Sequence, residues 1–175
     1  MRRYDLTAEM YEMRYAEEQL AKYKAALESL NINCNSEVLD VGCGTGLLFR
    51  HVVAEAQAVV GVDVSLKLLR QAKKRAQEFR NIHLVQADAD HLPFKSNHFN
   101  IVFSFTVLQN MPMPLETLNE IKRNATHDAL IVVTGLKKVF ALEAFRELLQ
   151  NAGLQVVTLN NADELKCYVV VTIQD

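Results

Sequence analysis

Short apolar runs alternate with stretches of helical length through the middle of this chain, and that alternation leaves few folds open to it. The runs are residues 38–41, 58–62, 83–87, 101–105 and 129–134, and residues 46–55, 66–79 and 115–124 between them have helical spacing. Strands that are apolar on both faces and separated by helices are buried on both sides, which predicts parallel β-α-β crossovers and a doubly wound, three-layer α/β sandwich. A helix over 139–151, with Gly153 as its C-cap, leads into two last strands, 154–159 and 167–173. Only residues 160–165 separate these two, too few for a crossover helix, so they are expected to pair as an antiparallel hairpin. The expectation is a seven-stranded, mostly parallel sheet closed by a C-terminal antiparallel hairpin. Ahead of it, residues 8–30 carry Met10, Met13, Leu20, Tyr23, Ala26, Leu27 and Leu30 at helical spacing, an N-terminal helical arm.

With 175 residues, half of them hydrophobic and 23% charged, the chain is expected to form one domain, an arm over 1–33 and a core over 34–175. Nineteen Lys and Arg against 21 Asp and Glu give a net charge of -2, which excludes a basic-tail nucleic-acid binder. Cys34, Cys43 and Cys167 are odd in number and widely spaced, which fits neither a disulfide framework nor a zinc site and points to a reducing cytoplasm. No apolar stretch follows Arg2 and Arg3, and no run approaches the roughly 18 apolar residues of a membrane span. The reading is a soluble, unprocessed cytoplasmic protein with no membrane partner.

Three of the six glycines, Gly42, Gly44 and Gly46, fall directly after the first strand and before the first sandwich helix. Glycine there permits positive φ and lets a ligand approach the backbone, and the helix start beyond offers free N–H groups. The first turn of a doubly wound sheet also lies where such sheets bind ligands. The frames G-C-G-T-G-L and G-T-G-L-L-F both miss the dinucleotide pattern G-x-G-x-x-G, which argues against a nicotinamide oxidoreductase. Asp63, at the end of the second strand, is placed to accept two hydrogen bonds from a ribose diol.

The stretches V-L-D-V-G-C-G-T-G (38–46), V-G-V-D-V-S (60–65), A-D-A-D-H-L-P-F (87–94) and H-F-N-I-V-F-S-F-T-V-L-Q-N (98–110) together resemble the class I S-adenosylmethionine-dependent methyltransferases, in particular the methyltransferase type 11 or UbiE-like group. The resemblance implies a Rossmann-like core and S-adenosyl-L-methionine as cofactor, leaving S-adenosyl-L-homocysteine as product. It implies that Asp40 and the backbone of Gly42, Cys43, Gly44 and Gly46 hold the methionine end. Asp63, with Val64 beside it, would hold the ribose; Asp88 and the N–H of Ala89 would read the adenine; Ser104 and Phe105 would lie under the sulfonium. The N-terminal Y-D-L-T-A-E-M-Y is similar to a family pattern that folds over the cofactor, which makes Tyr11 a candidate near the methyl group together with Ser104, Phe105 and Gln109. Asn100 and Gln109 depart from the family's usual Asp and His, so no catalytic base stands out.

Methyl transfer from a sulfonium is an in-line displacement that needs positioning but neither a metal nor a covalent residue. The five histidines make no metal pattern and read as surface or structural residues, with His91 near the mouth a weaker candidate for a base. Cys43 reads as a small buried residue of the turn. Lys67, Arg70, Lys73, Lys74, Arg75 and Arg80 read as a solvated helix face, with an RNA footprint as the alternative. The link around 135–138 leaves no room for a lid. An open mouth suits an RNA or protein acceptor or completion by a second subunit, for which small zinc-binding activator proteins are the family analogy. A small-molecule methyltransferase and a non-catalytic cofactor-binding scaffold or regulatory subunit are the alternatives.

Overall fold

The computed structural model describes residues 16–175. The expected arm falls within it only in part: residues 16–27 are helical (α1), and Tyr11 lies outside the described residues. The chain then runs β1 (Glu37–Val41), α2 (Phe49–Val52), β2 (Ala58–Asp63), α3 (Leu66–Ala76), β3 (Ile82–Gln86), β4 (Phe99–Ser104), a 3-10 turn (Leu108–Asn110), α4 (Pro114–Asn124), β5 (Ala125–Leu136), α5 (Leu142–Asn151), β6 (Leu154–Asn160) and β7 (Cys167–Gln174).

The seven strands form one sheet in the order β3-β2-β1-β4-β5-β7-β6. Only β7 runs against the others, antiparallel to both β5 and β6. The expected hairpin is therefore present, and β7 returns between β5 and β6. Burial explains why: six consecutive β7 residues from Cys167 are buried, as an inner strand requires, whereas β6 alternates and takes the edge.

The structure departs from the expected elements most at the start of α2 and the start of β5. Helix α2 is confined to Phe49–Val52 because Gly46, at φ +76°, still belongs to the turn. Strand β5 begins directly after α4, with Ala125 opposite Phe99, and the register shifts between Phe99 and Ile101. No helix joins β3 to β4. The irregular connection between them is held instead by Arg123 of α4, which donates to the carbonyls of Leu92 and Phe94 and to Glu120.

Side-chain alternation along the strands builds two cores. Val38 packs on one face with Tyr23, Phe49, Val52, Leu69 and Ala72 from α1, α2 and α3, while Leu39 and Val41 pack on the other with Leu118, Ile121, Phe145 and Leu149 from α4 and α5. Ser65 caps α3 through the Leu68 N–H at 3.3 Å, and Pro114 opens α4, where its missing N–H costs nothing. Strand β1 lies between β2 and β4, so successive connections leave it in opposite directions and open a crevice beyond the carboxyl ends of these strands.

Phe145 is fully buried and packs against Tyr168, Phe140 and the bare backbone of Gly135, where a Cβ would meet its ring at 2.8 Å. Phe145→Ala is expected to lower unfolding free energy by about 3–5 kcal/mol, read as a reduced urea midpoint at unchanged slope.

Candidate active site

The turn after β1 is built from residues with different tasks. Gly42 and Gly46 have positive φ and lie against the side chains of Val107 and Phe49, so side chains at either position would collide with the packing beneath the turn. Gly44, at φ +56°, would meet nothing within 4 Å and faces open space. Asp63, 9% exposed at the end of β2, fastens this turn. Its Oδ2 accepts the Gly44 N–H at 2.9 Å, and its Oδ1 accepts the Ser65 N–H at 2.8 Å. Arg75 reaches from α3 to donate to the Thr45 carbonyl at 2.8 Å, which gives one cation of that basic face a structural task.

Two cavities, of about 470 and 210 Å³, meet at Gly42, Gly44, Leu68 and Phe105. The larger is walled by Asp63, Val64, Asp88, Ala89 and Asp90 on the β2 and β3 side, and by Thr106, Val107, Asn110, Met111 and Pro112 beyond β4. The smaller is walled by Asp40 and Cys43 and covered by Gln19 and Tyr23 of α1. Most of the residues singled out from sequence thus converge on one cleft. Gly46, Ser104 and Gln109 line neither cavity. Ser104 is fully buried, and its hydroxyl and the Gln109 Oε1 have no hydrogen-bond partner. His91 forms the turn after Asp88 and does not reach the cavity wall. Among the described residues no group of His, Cys, Asp and Glu is arranged to hold a metal.

Several cleft residues escape sequence reasoning, among them Asp90, Thr106, Asn110, Gln19 and Tyr23. Asp90 stands beside Asp88 in A-D-A-D and is aimed by the buried Thr117 hydroxyl of α4. Thr106 and Asn110 follow β4 within the quoted S-F-T-V-L-Q-N stretch, so a signal was present for them. Gln19 carried none and Tyr23 was read only as part of the arm's apolar face, because their place over the cleft depends on where α1 packs.

Asp40 is 3% exposed and its carboxyl is pushed up to about 7, first by burial and then by the charge of Asp63. Burial, with the charges of Asp40 and Asp63, also pushes the Cys43 thiol far up, so it is an inert wall group. Both cavities are lined by carboxylates and, among the described residues, by no lysine or arginine. Such a wall repels phosphate and attracts a cation.

A family model described as a methyltransferase domain matches residues 39–133, more than half of the chain. The chain belongs to the methyltransferase domain family. A demethylmenaquinone methyltransferase of Staphylococcus saprophyticus is 35% identical over 112 residues, 62% of this chain and 48% of that protein. The chain thus spans about half the length of the curated relatives it matches. In fold, the methyltransferase domain is similar to a SAM dependent methyltransferase from Aquifex aeolicus, with TM-score 0.78 and 18% identity over 87% of this chain and 89% of that one. It is also similar to a chain of the complex between the Haloferax volcanii Trm112 methyltransferase activator and a methyltransferase, with TM-score 0.81 and 16% identity over 95% and 94%.

The raised Asp40 carboxyl gives this methyltransferase domain a pH signature. The native state keeps a proton, up to about pH 7, that the unfolded chain releases near pH ~3.9, so this group's contribution to stability falls as pH rises between those values. Asp40→Asn removes that loss. Urea unfolding at about pH 5 and about pH 8 should show the wild type losing ground to the variant at the higher pH, by up to about 1.4 kcal/mol for each pH unit crossed between the two pKa values.

Proposed function

We propose that this chain is an S-adenosylmethionine-dependent methyltransferase. The observation that carries the reading is the wall of the cleft: Asp40, Asp63, Asp88 and Asp90, with no cation among the described lining residues, beside a glycine whose missing side chain leaves open space. That chemistry suits a ligand with positive charge, a ribose diol and no phosphate. When bound, the cofactor supplies a methyl group on a sulfonium, which passes to a nucleophile by in-line displacement as the C–S bond breaks and its electron pair goes to sulfur.

The chain's own residues hold and orient. In this reading Asp40 takes the ligand's ammonium end under the cover of Gln19 and Tyr23, and Gly44 lets the ligand lie against the turn. Asp63, already fixed by two backbone N–H groups, offers its free lone pairs to the ribose, and Asp88 with the Ala89 N–H reads the adenine. Phe105 walls both cavities where they meet and keeps water from that junction. Gly46 serves the turn, and Ser104 supports from beneath.

For the acceptor we propose a small molecule with an apolar body, supported by the name of the Staphylococcus relative and by Phe105, Val107, Met111 and Pro112 beyond β4. A second reading, an RNA or protein acceptor with an activating partner subunit, is supported by the likeness to the Haloferax complex. Among the described residues no helix is long and apolar enough to cross a membrane.

Calorimetry with S-adenosylhomocysteine tests the cofactor assignment, with NADH as control. At about a hundred times its dissociation constant the ligand should add about 2.7 kcal/mol, a rise of about 5–10 °C in Tm. Asp63→Ala should weaken it by about a hundredfold or more, about 2.7 kcal/mol. Binding of NADH but not of S-adenosylhomocysteine would overturn the proposal.

A further inference from the structure

Thr106 lines the larger cavity directly after β4, yet its backbone stands at φ +64°, which a β-branched residue adopts only when its surroundings impose it. Its neighbours do so. The Thr106 N–H donates to Thr134 Oγ1 at 2.7 Å, and its carbonyl accepts from Asn110 Nδ2 at 3.0 Å. Its hydroxyl oxygen meets two groups of α1, Lys22 Nζ at 3.1 Å and Gln19 Nε2 at 3.3 Å. The Lys22 side chain has no exposed surface and is paired with Glu18 at 3.0 Å. Burial raises the Glu18 carboxyl, but hydrogen bonds from Lys166 and Lys22 outweigh it and hold the group below the usual carboxylate range. Glu18 is thus held toward its charged form beside the Lys22 side chain.

An ammonium can only donate, so the Thr106 oxygen must accept from Lys22, and the Gln19 amide nitrogen takes its second lone pair. What the hydroxyl has left to offer is its proton, on the residue that walls the cleft. The geometry points to Thr106 as an obligate hydrogen-bond donor to the methyl acceptor, backed by the buried Lys22 cation and selecting an acceptor that presents an anionic oxygen, an enolate or phenolate. A cation bonded to the hydroxyl oxygen polarises the O–H and strengthens it as a donor. The same charge disfavours an ammonium on the acceptor.

The placement leaves room for an anion. The carboxylates Asp63, Asp88 and Asp90 line the β2 and β3 side, whereas the residues around Thr106 beyond β4 are uncharged. This inference rests on the methyltransferase reading, and it needs no base beside the acceptor. An acceptor held as its anion already carries the electron pair that forms the bond to the methyl carbon, at oxygen or at a conjugated carbon, and the C–S pair goes to sulfur. Attack through oxygen moves no proton; attack through carbon releases that carbon's proton to water. Thr106 is then a specificity-determining residue and Lys22 a positioning one.

The test titrates two probes into the full chain saturated with S-adenosylhomocysteine: lawsone, a hydroxynaphthoquinone that is an enolate at neutral pH, and its neutral aminonaphthoquinone counterpart of the same shape. Lawsone should bind at least about tenfold tighter. Thr106→Val, which keeps the shape and removes the hydroxyl, and Lys22→Met should erase that preference, and Thr106→Ser should retain it. If Lys22→Met does not fold, the Val and Ser pair decides, since both keep the Glu18–Lys22 ion pair. A preference that survives Thr106→Val, equal binding of the two probes, or binding of neither by the loaded chain would overturn the inference. Failure of the wild type to take up S-adenosylhomocysteine would overturn the methyltransferase reading first, and this inference with it.

Discussion

The carboxylate of Asp63 accepts two backbone N–H groups, one on each oxygen, from Gly44 of the first turn and Ser65 at the cap of α3, and the cleft depends on that pair of hydrogen bonds. It joins the end of β2 to the loop after β1, so the turn cannot move without the strand. Charge-assisted hydrogen bonds of this kind are about twice as strong as neutral ones, and the remaining lone pairs stay available because an ionised carboxylate has more acceptor sites than these two donors fill. One side chain thus shapes the site and offers a binding group to it.

A second constraint lies across the cleft. Thr106 is held in the left-handed region by Thr134, Asn110, Lys22 and Gln19, residues of β5, the 3-10 turn and α1. A conformation costing on the order of 1–3 kcal/mol persists only where several elements agree on it. Because Lys22 and Gln19 belong to the helix that covers the smaller cavity, the cover and the far wall of the larger cavity are parts of one hydrogen-bonded unit. The pair of buried Lys22 with half-buried Glu18 extends that unit to Lys166 beside β7. Burying the Lys22 side chain is costly unless its geometry is used, since taking an ammonium out of water is compensated only by well-placed partners.

Much of this was legible in the chain itself. The apolar runs gave all seven strands to within a few residues, since buried parallel strands are apolar on both faces and few other elements are. The turn around Gly44 and the carboxylates Asp40, Asp63 and Asp88 stood out because unusual backbone and charge at the ends of apolar strands need a reason. Ser104 and Gln109 show the limit. Strand position placed Ser104 correctly at the end of β4, but which way its hydroxyl faces depends on the neighbouring strands, and it turns into the protein. Helix α2 was read too long because a glycine at positive φ looks the same in sequence as one inside a helix.

What the sequence by itself determined is therefore the local part: strand and helix periodicity, the antiparallel return of a hairpin with too short a link, and the glycine turn followed by an acid at the next strand end. These follow from interactions between residues near each other in the chain. Only the tertiary structure decided that β7 would insert between β5 and β6, that α1 would place Gln19 and Tyr23 over Asp40, and that Lys22 would reach the Thr106 hydroxyl 84 residues away. Those arrangements come from burying apolar surface between elements distant in sequence, a non-directional force that leaves no local pattern to read.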